Sequence, residues 1–289
     1  MGLNQKIQNW KHKSLTMEIT AYTWYFLITA TIVCVALIIS NIIFLRHYLK
    51  LKTPGSILLL LTYFLFTIGE ILNTTGLWYY TFVSETSPIS GYFELNFAFF
   101  YAVGYIFFYF FANRHILEDN DLVKSLTAII LTIIISVTSS LMYVELVYQN
   151  VDPIFYNEII VIGPNLKQYL PTMLAGLMIF IPIFLFIHLR IIIGITKLRR
   201  SIEDSVSKTG FTFILFTIIS FVLSALIAST FIMPNVGNYP RLYTTLHSLR
   251  ILTIIIAVLL GYFGWTLPNW LKKRLQKRDA KKLEQNNVS

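Results

Sequence analysis

YTWYFLITATIVCVALIISNIIF, residues Tyr22 to Phe44, decides the class of fold. It carries no charged side chain, and it matches the roughly 20 apolar residues that a helix needs to cross a hydrocarbon core of about 30 Å. Its apolar character is continuous rather than alternating. In lipid, where every backbone polar group must be satisfied within the segment, such a run is a helix and not a barrel strand. Six further runs of the same kind follow outward from it: Ser56–Phe82, Tyr92–Phe111, Leu122–Tyr148, Leu166–Ile193, Phe211–Met233 and Leu242–Leu267. Turn signals separate several of them, at Thr53-Pro54-Gly55, Ser87-Pro88, Asp152-Pro153, Gly163-Pro164 and Tyr239-Pro240. The expected fold is all-α, a polytopic bundle of seven transmembrane helices.

Composition agrees. The chain has 289 residues, 56% hydrophobic and only 13% charged, where a soluble domain carries about 25% charged residues to coat its surface. The net charge of +9 is not a nucleic-acid signature, because it is concentrated near the end. Lys272, Lys273, Arg274, Lys277, Arg278, Lys281 and Lys282 stand there against Asp279 and Glu284. A basic run directly after an apolar helix anchors topology and lies against anionic lipid. The expected organisation is an N-terminal segment, 1–20, with Leu3, Ile7 and Trp10 placed for an interfacial helix. A seven-helix domain over 21–271 and a basic cytoplasmic tail over 272–289 follow. No cleavable signal peptide is read, so the first span itself targets the chain to the cell membrane. Cys34 is the single cysteine, which leaves no internal disulfide or cysteine-based metal site. No cofactor is expected.

Basic residues in short loops set the orientation. Arg46, Lys50 and Lys52, then Arg114 and Lys124, then Lys197, Arg199, Arg200 and Lys208, then the tail, fall on one side. Glu85, Glu94, Glu145, Asp152 and Glu158 fall on the other, against Lys167 and Arg241. The C-terminus is therefore expected inside and the N-terminus outside, although Lys6, Lys11 and Lys13 oppose this. The outer segment from Gln149 to Asn165 is expected to lie on the bilayer or to cover the mouth of the bundle.

Two full charges fall deep within predicted spans, Glu70 in the second and Arg250 in the seventh. A charge at the bilayer centre costs at least about 2.5–3.5 kcal/mol on insertion scales, so each should face the bundle interior and find a partner. Tyr243, His247, Arg250, Ile254, Ala257, Gly261 and Gly264 recur at steps of three and four, one stripe that is polar in its outer half and small in its inner half. Tyr63, Thr67, Glu70 and Thr74 form a polar stripe on the second span. Glu94, Ala98, Tyr101, Tyr105 and Tyr109 share a face of the third. Glu70, Arg250, His247, Tyr243, Tyr101 and Tyr105 are thus candidates to line one outward-opening polar cavity. The competing reading is a Glu70–Arg250 bridge that fixes helix packing and binds nothing.

His47, His115 and His188 all fall near the inner ends of their spans. Three histidines at one depth suit zinc, but they lie on three helices, and Arg46 and Arg114 adjoin two of them. Pro171 and Pro182 are expected to kink the fifth span. Ser220, Ser224 and Ala228 in the sixth span, with Thr132, Ser136 and Ser140 in the fourth, read as close-packing stripes. Trp10, Trp24, Trp78, Trp265 and Trp270 fall at predicted interfaces, as aromatic-belt residues do.

Several chemistries are excluded. There is no Gly-rich phosphate loop, no His-Glu-x-x-His and no Gly-x-Ser-x-Gly. No lysine lies between Lys208 and Lys272, so the seventh span forms no Schiff base with retinal. The stretches Phe64-Leu-Phe-Thr-Ile-Gly-Glu70 through Trp78, Tyr92-Phe-Glu94 to Phe111 and Gly261-Tyr-Phe-Gly-Trp-Thr-Leu-Pro268 resemble the seven-helix sensor region at the N-terminus of many archaeal and bacterial histidine kinases. After Lys272 too few residues follow for a kinase domain, so the resemblance implies a stand-alone sensor that signals through a cytoplasmic partner. Two other readings stay open. One is a cation or proton-coupled transporter or channel working through Glu70. The other is a membrane-embedded metal-dependent hydrolase using the inner histidines.

Overall fold

A computed structural model describes residues 21–83, 89–149, 171–230 and 240–286. The N-terminal segment 1–20 and the outer segment expected after Gln149 lie outside the described residues. Eight α-helices are present among those described, with no strand. They are α1 (Ala21–Leu51), α2 (Pro54–Phe82), α3 (Ile89–Ala112), α4 (Asp121–Gln149), α5 (Pro171–Ser201), α6 (Ser205–Thr230), α7 (Pro240–Thr266) and α8 (Asn269–Asn286). The first seven are long and apolar enough to cross a membrane, and the chain is a multi-pass membrane protein. Each of these seven packs on its neighbour in sequence, and α7 returns against α1 to close the ring.

Most helices run further than their apolar runs because the extra turns lie where water, headgroups and caps satisfy the ends. α1 continues past Phe44 to Leu51, and α5 past Ile193 to Ser201. The predicted turn at Thr53-Pro54-Gly55 is tighter than expected, since α2 already starts at Pro54. Lys52 takes a left-handed φ of 50°, and Thr53 and Ser56 form a capping box. The Ser56 amide donates to Thr53 Oγ1 at 3.2 Å and the Thr53 amide to Ser56 Oγ at 3.1 Å. Proline is well suited to the first helical position, where no amide donor is needed. Of the two expected kink residues only Pro182 lies inside α5; Pro171 is its first described residue.

At its C-terminal end α3 passes into a single π-helical turn, Asn113–Leu117, which closes on Glu118 at a left-handed φ of 52°. Lipid-facing rows such as Ile28, Ile32, Val35, Ile39 and Ile42 on α1 are exposed. A packed core among α3, α4, α5 and α6 gathers Tyr105, Tyr109, Leu131, Phe184, Ile187, Ile191, Ile195, Ile214 and Ile218.

The basic tail is a helix, α8, and it is tied to the start of α6. Asp204 caps α6 by accepting from the Val206 amide at 2.9 Å and the Ser207 amide at 3.2 Å. Asp279 of α8 accepts from the Ser205 amide at 3.1 Å and from the Ser205 hydroxyl, while Leu275, one helical turn away, is buried and Lys272, Lys273 and Lys277 are exposed. Two carboxylates at one helix N-terminus complement its partial positive charge. The Ser207 hydroxyl and the Ser207 and Val206 amides hold the Asp204 carboxyl below its ordinary value. Its contribution to the cap is complete above the ordinary aspartate range and is lost as pH falls through the lowered value. Asp279→Ala is expected to free α8, with faster deuterium exchange throughout that helix and a loss of about 1 kcal/mol at the α6 cap. Unchanged exchange in α8 would mean that Leu275 alone holds it.

Candidate functional site

A cavity of about 270 Å³ lies within the ring, walled by α1, α2, α3, α6 and α7. Most of its wall is apolar: Val33 and Leu37 from α1, Phe66 from α2, Phe97 and Phe108 from α3, Ile218 and Phe221 from α6, Ile251 and Ile254 from α7. Its ionisable groups and the donors beside them converge from three helices, with Thr217 and Ser224 adding hydroxyls from α6. Glu70 and Asn73 come from α2, Tyr101 from α3, His247 and Arg250 from α7. The helical stripe read on the seventh span explains this placement, since His247, Arg250, Ile254 and Ala257 all face the cavity. Below them Gly261 and Gly264 allow α7 to approach Tyr63, Thr217 and Ile214 closely.

Glu70 is 5% exposed and its carboxylate is held by two donors. The Asn73 side-chain amide donates to Oε1 at 3.1 Å and the Tyr101 hydroxyl to Oε2 at 3.2 Å. Tyr101 is fixed by Phe66, stacked on its ring at 4.8 Å between centroids, and by Phe97 at 4.7 Å. Behind Glu70, α1 and α2 are joined by polar side chains. Asn41 donates to Thr67 Oγ1 at 3.0 Å, and the Thr67 hydroxyl lies 2.7 Å from the Tyr63 carbonyl. His247 packs its ring against Phe26 at 4.4 Å and sits 3.4 Å from the Thr29 hydroxyl. Arg250 reaches the same cavity but stays more than 4.0 Å from Glu70, since the ion pairs among the described residues are Arg190–Asp119 and Lys124–Asp121. No hydrogen-bond acceptor for its guanidinium is found among the described residues.

Four of the six candidate residues thus meet at one cavity: Glu70, Tyr101, His247 and Arg250. Tyr105 does not. Between the cavity-lining Tyr101 and Phe108, it turns instead toward α5, with its ring against Phe180 and Phe184 and its hydroxyl 3.2 Å from His188 Nδ1. The side chain of Tyr243 lies outside the described residues, as does that of Glu94. The inner histidines are not gathered into a metal centre: among the described residues no three histidine, cysteine or carboxylate side chains are placed to hold an ion. His188 is 1% exposed, boxed by Tyr105, Phe108, Phe184 and Phe221. Its Nδ1 donates to the Phe184 carbonyl at 2.8 Å, which leaves Nε2 as a buried lone pair without a partner. His115 instead packs on Phe111 and against Gly55.

A second polar cluster, at the C-terminal end of α3, is not among the candidates drawn from the sequence. Asp119, its side chain 7% exposed, forms an ion pair with Arg190 of α5. It also accepts from Asn113 at 3.1 Å and from the Tyr109 hydroxyl at 3.4 Å. Arg190 lies inside the fifth apolar run, and a charge in such a run is the signal that marks this cluster. The π turn and the left-handed Glu118 bring Asp119 back under α3 to meet it. Comparison of the chain with protein-family models, with curated proteins and with solved structures returned no match.

Proposed function

We propose that this chain is a receptor-like sensor of the cell membrane, with its N-terminus outside and its C-terminus inside, which binds a small ligand in the α1–α2–α3–α6–α7 cavity. One observation carries the reading: Glu70, Tyr101, His247 and Arg250 converge on a single mostly apolar cavity, the usual make-up of a small-molecule site. The orientation rests on the basic inner loops. The likeness of the second, third and seventh spans to histidine-kinase sensor regions points the same way. Output passes to a cytoplasmic partner through the inner loops and α8, whose exposed lysines and arginines suit anionic lipid. Ligand binding acts by shifting the population of two helix arrangements, each ligand-favoured contact biasing the equilibrium.

A transport reading has one observation in its favour. Tyr105–His188 and the Tyr109–Asn113–Asp119–Arg190 cluster continue the polar residues of α3 beside the cavity and toward the helix's C-terminal end. Phe108 and Phe221 line the cavity and pack against His188, a separation that favours a closed binding chamber over a conduit. The hydrolase reading draws no support from the separated histidines.

Filling the cavity tests the proposal without knowledge of the ligand. Ser224→Phe places a ring where Ser224 now lines the wall. Deuterium exchange is expected to change at the inner loops around Lys197–Lys208 and in α8, far from the substitution. The same protein in proteoliposomes should carry no proton or cation flux. Flux that vanishes in Glu70→Gln would replace the sensor with a carrier.

A further inference from the structure

The cavity does not treat its two charges alike. Both oxygens of Glu70 already accept hydrogen bonds, from Asn73 at 3.1 Å and Tyr101 at 3.2 Å. Arg250 faces the same space with five N–H donors and no acceptor among the described residues. An unmet donor in an apolar enclosure costs free energy, and more when it is charged. The missing component is therefore an acceptor, and an anionic acceptor meets a guanidinium with two parallel hydrogen bonds. Most of the remaining wall is apolar, including Val33, Leu37, Phe66, Phe221 and Ile254, with the hydroxyl-bearing Thr62, Tyr63, Thr217 and Ser224 among them. At about 30 Å³ per water-sized group, a volume of 270 Å³ holds a ligand of roughly ten non-hydrogen atoms.

We infer that the cavity binds a small apolar carboxylate, its carboxyl group paired with Arg250 and its hydrocarbon body against the aromatic and aliphatic wall. The inference rests on the sensor reading of the same cavity and names its ligand class. Arg250 supplies charge and geometry together. Glu70, held by Asn73 and Tyr101, shares the cavity with it and keeps the empty site close to neutral. Ala30 and Val33 of α1 with Ile251 and Val258 of α7 form one apolar flank of the cavity, which suits the hydrocarbon body of the acid.

The test uses the full chain in lipid nanodiscs and equilibrium dialysis, with empty nanodiscs subtracted. Labelled octanoate, octanol, octylamine and ω-aminooctanoate serve as probes of one length and four head groups. Octanoate is expected to bind saturably, with octanol and octylamine about 10- to 100-fold weaker, the range of a lost charge-assisted hydrogen bond. Arg250→Gln should abolish that preference, and Arg250→Lys should keep part of it by retaining the charge without the planar fork. Tightest binding of octylamine or of the ω-amino acid would overturn the ligand class and leave the cavity reading standing. Octanoate uptake unchanged in Ser224→Phe would place the acid outside the cavity, and no saturable binding of any probe would also overturn the inference. The exchange response of Ser224→Phe separately decides whether the sensor reading falls with it.

Discussion

Leucine in place of Gly264 is expected to lower the stability of the bundle by about 2–3 kcal/mol, read as a fall in the midpoint of thermal or detergent unfolding. A Cβ at Gly264 would meet Ile214 Cγ1 at 2.7 Å, the Ile214 backbone nitrogen at 3.1 Å and the Gly210 carbonyl oxygen at 3.3 Å. Two of these atoms belong to the α6 backbone and have no rotamer to escape into, so α6 and α7 must separate. Lipid gives no hydrophobic force to draw them back, because association there depends on close van der Waals fit between small residues. Gly210→Ala is the graded comparison. Its Cβ would meet a mobile methyl, Leu267 Cδ1, at 3.1 Å and one carbonyl oxygen at 3.3 Å, and a cost below about 1 kcal/mol is expected once the better helix propensity of alanine is included. Equal stability of Gly264→Leu and the parent chain would show that this crossing does not hold α7 in place.

Removal of Arg190 is the second large effect. Arg190→Ala leaves Asp119, only 7% exposed, without its counter-charge and with donors from Asn113 and Tyr109 alone. Breaking a fully buried pair costs about 3–5 kcal/mol. Arg190 is 32% exposed, so water already screens part of the interaction and a loss of about 2–3 kcal/mol is expected. The double variant Asp119→Asn with Arg190→Ala should recover part of that loss, since the stranded charge is gone. A double variant as unstable as Arg190→Ala alone would show that the two side chains are not coupled. The pair also joins the π turn after α3 to α5.

The polar residues of the cavity are legible in the sequence because lipid makes charge expensive. Glu70 and Arg250 stand out in apolar runs, and the spacing of His247, Arg250, Ile254 and Ala257 is enough to assign them one face. Tyr105 shares the face of Tyr101 yet misses the cavity, for a physical reason. A helical face is broad, and periodicity does not say where across it one neighbouring helix gives way to the next. Phe108, further along α3, still lines the cavity, while Tyr105 turns onto Phe184 and His188 of α5. Asp119 reads as a loop residue because its burial depends on a π turn, a local unwinding that no hydrophobic period announces. The tail reads by its charge as an anchor, and only Leu275 and Asp279 show that it is also a helix docked on α6.

The sequence alone determined the class of fold and the number of apolar spans. Both follow from the solvent: hydrocarbon admits only helices of about 20 apolar residues, and that demand is written residue by residue in composition. Tertiary structure decided which polar groups meet. Hydrogen bonds act over about 3 Å and charges in a narrow cavity over only slightly more, while a helical stripe places a side chain to no better than a turn. Hence the sequence named Glu70 and Arg250 as partners, and packing placed them on one cavity without a direct bond, Glu70 satisfied by Asn73 and Tyr101 and Arg250 open to a ligand.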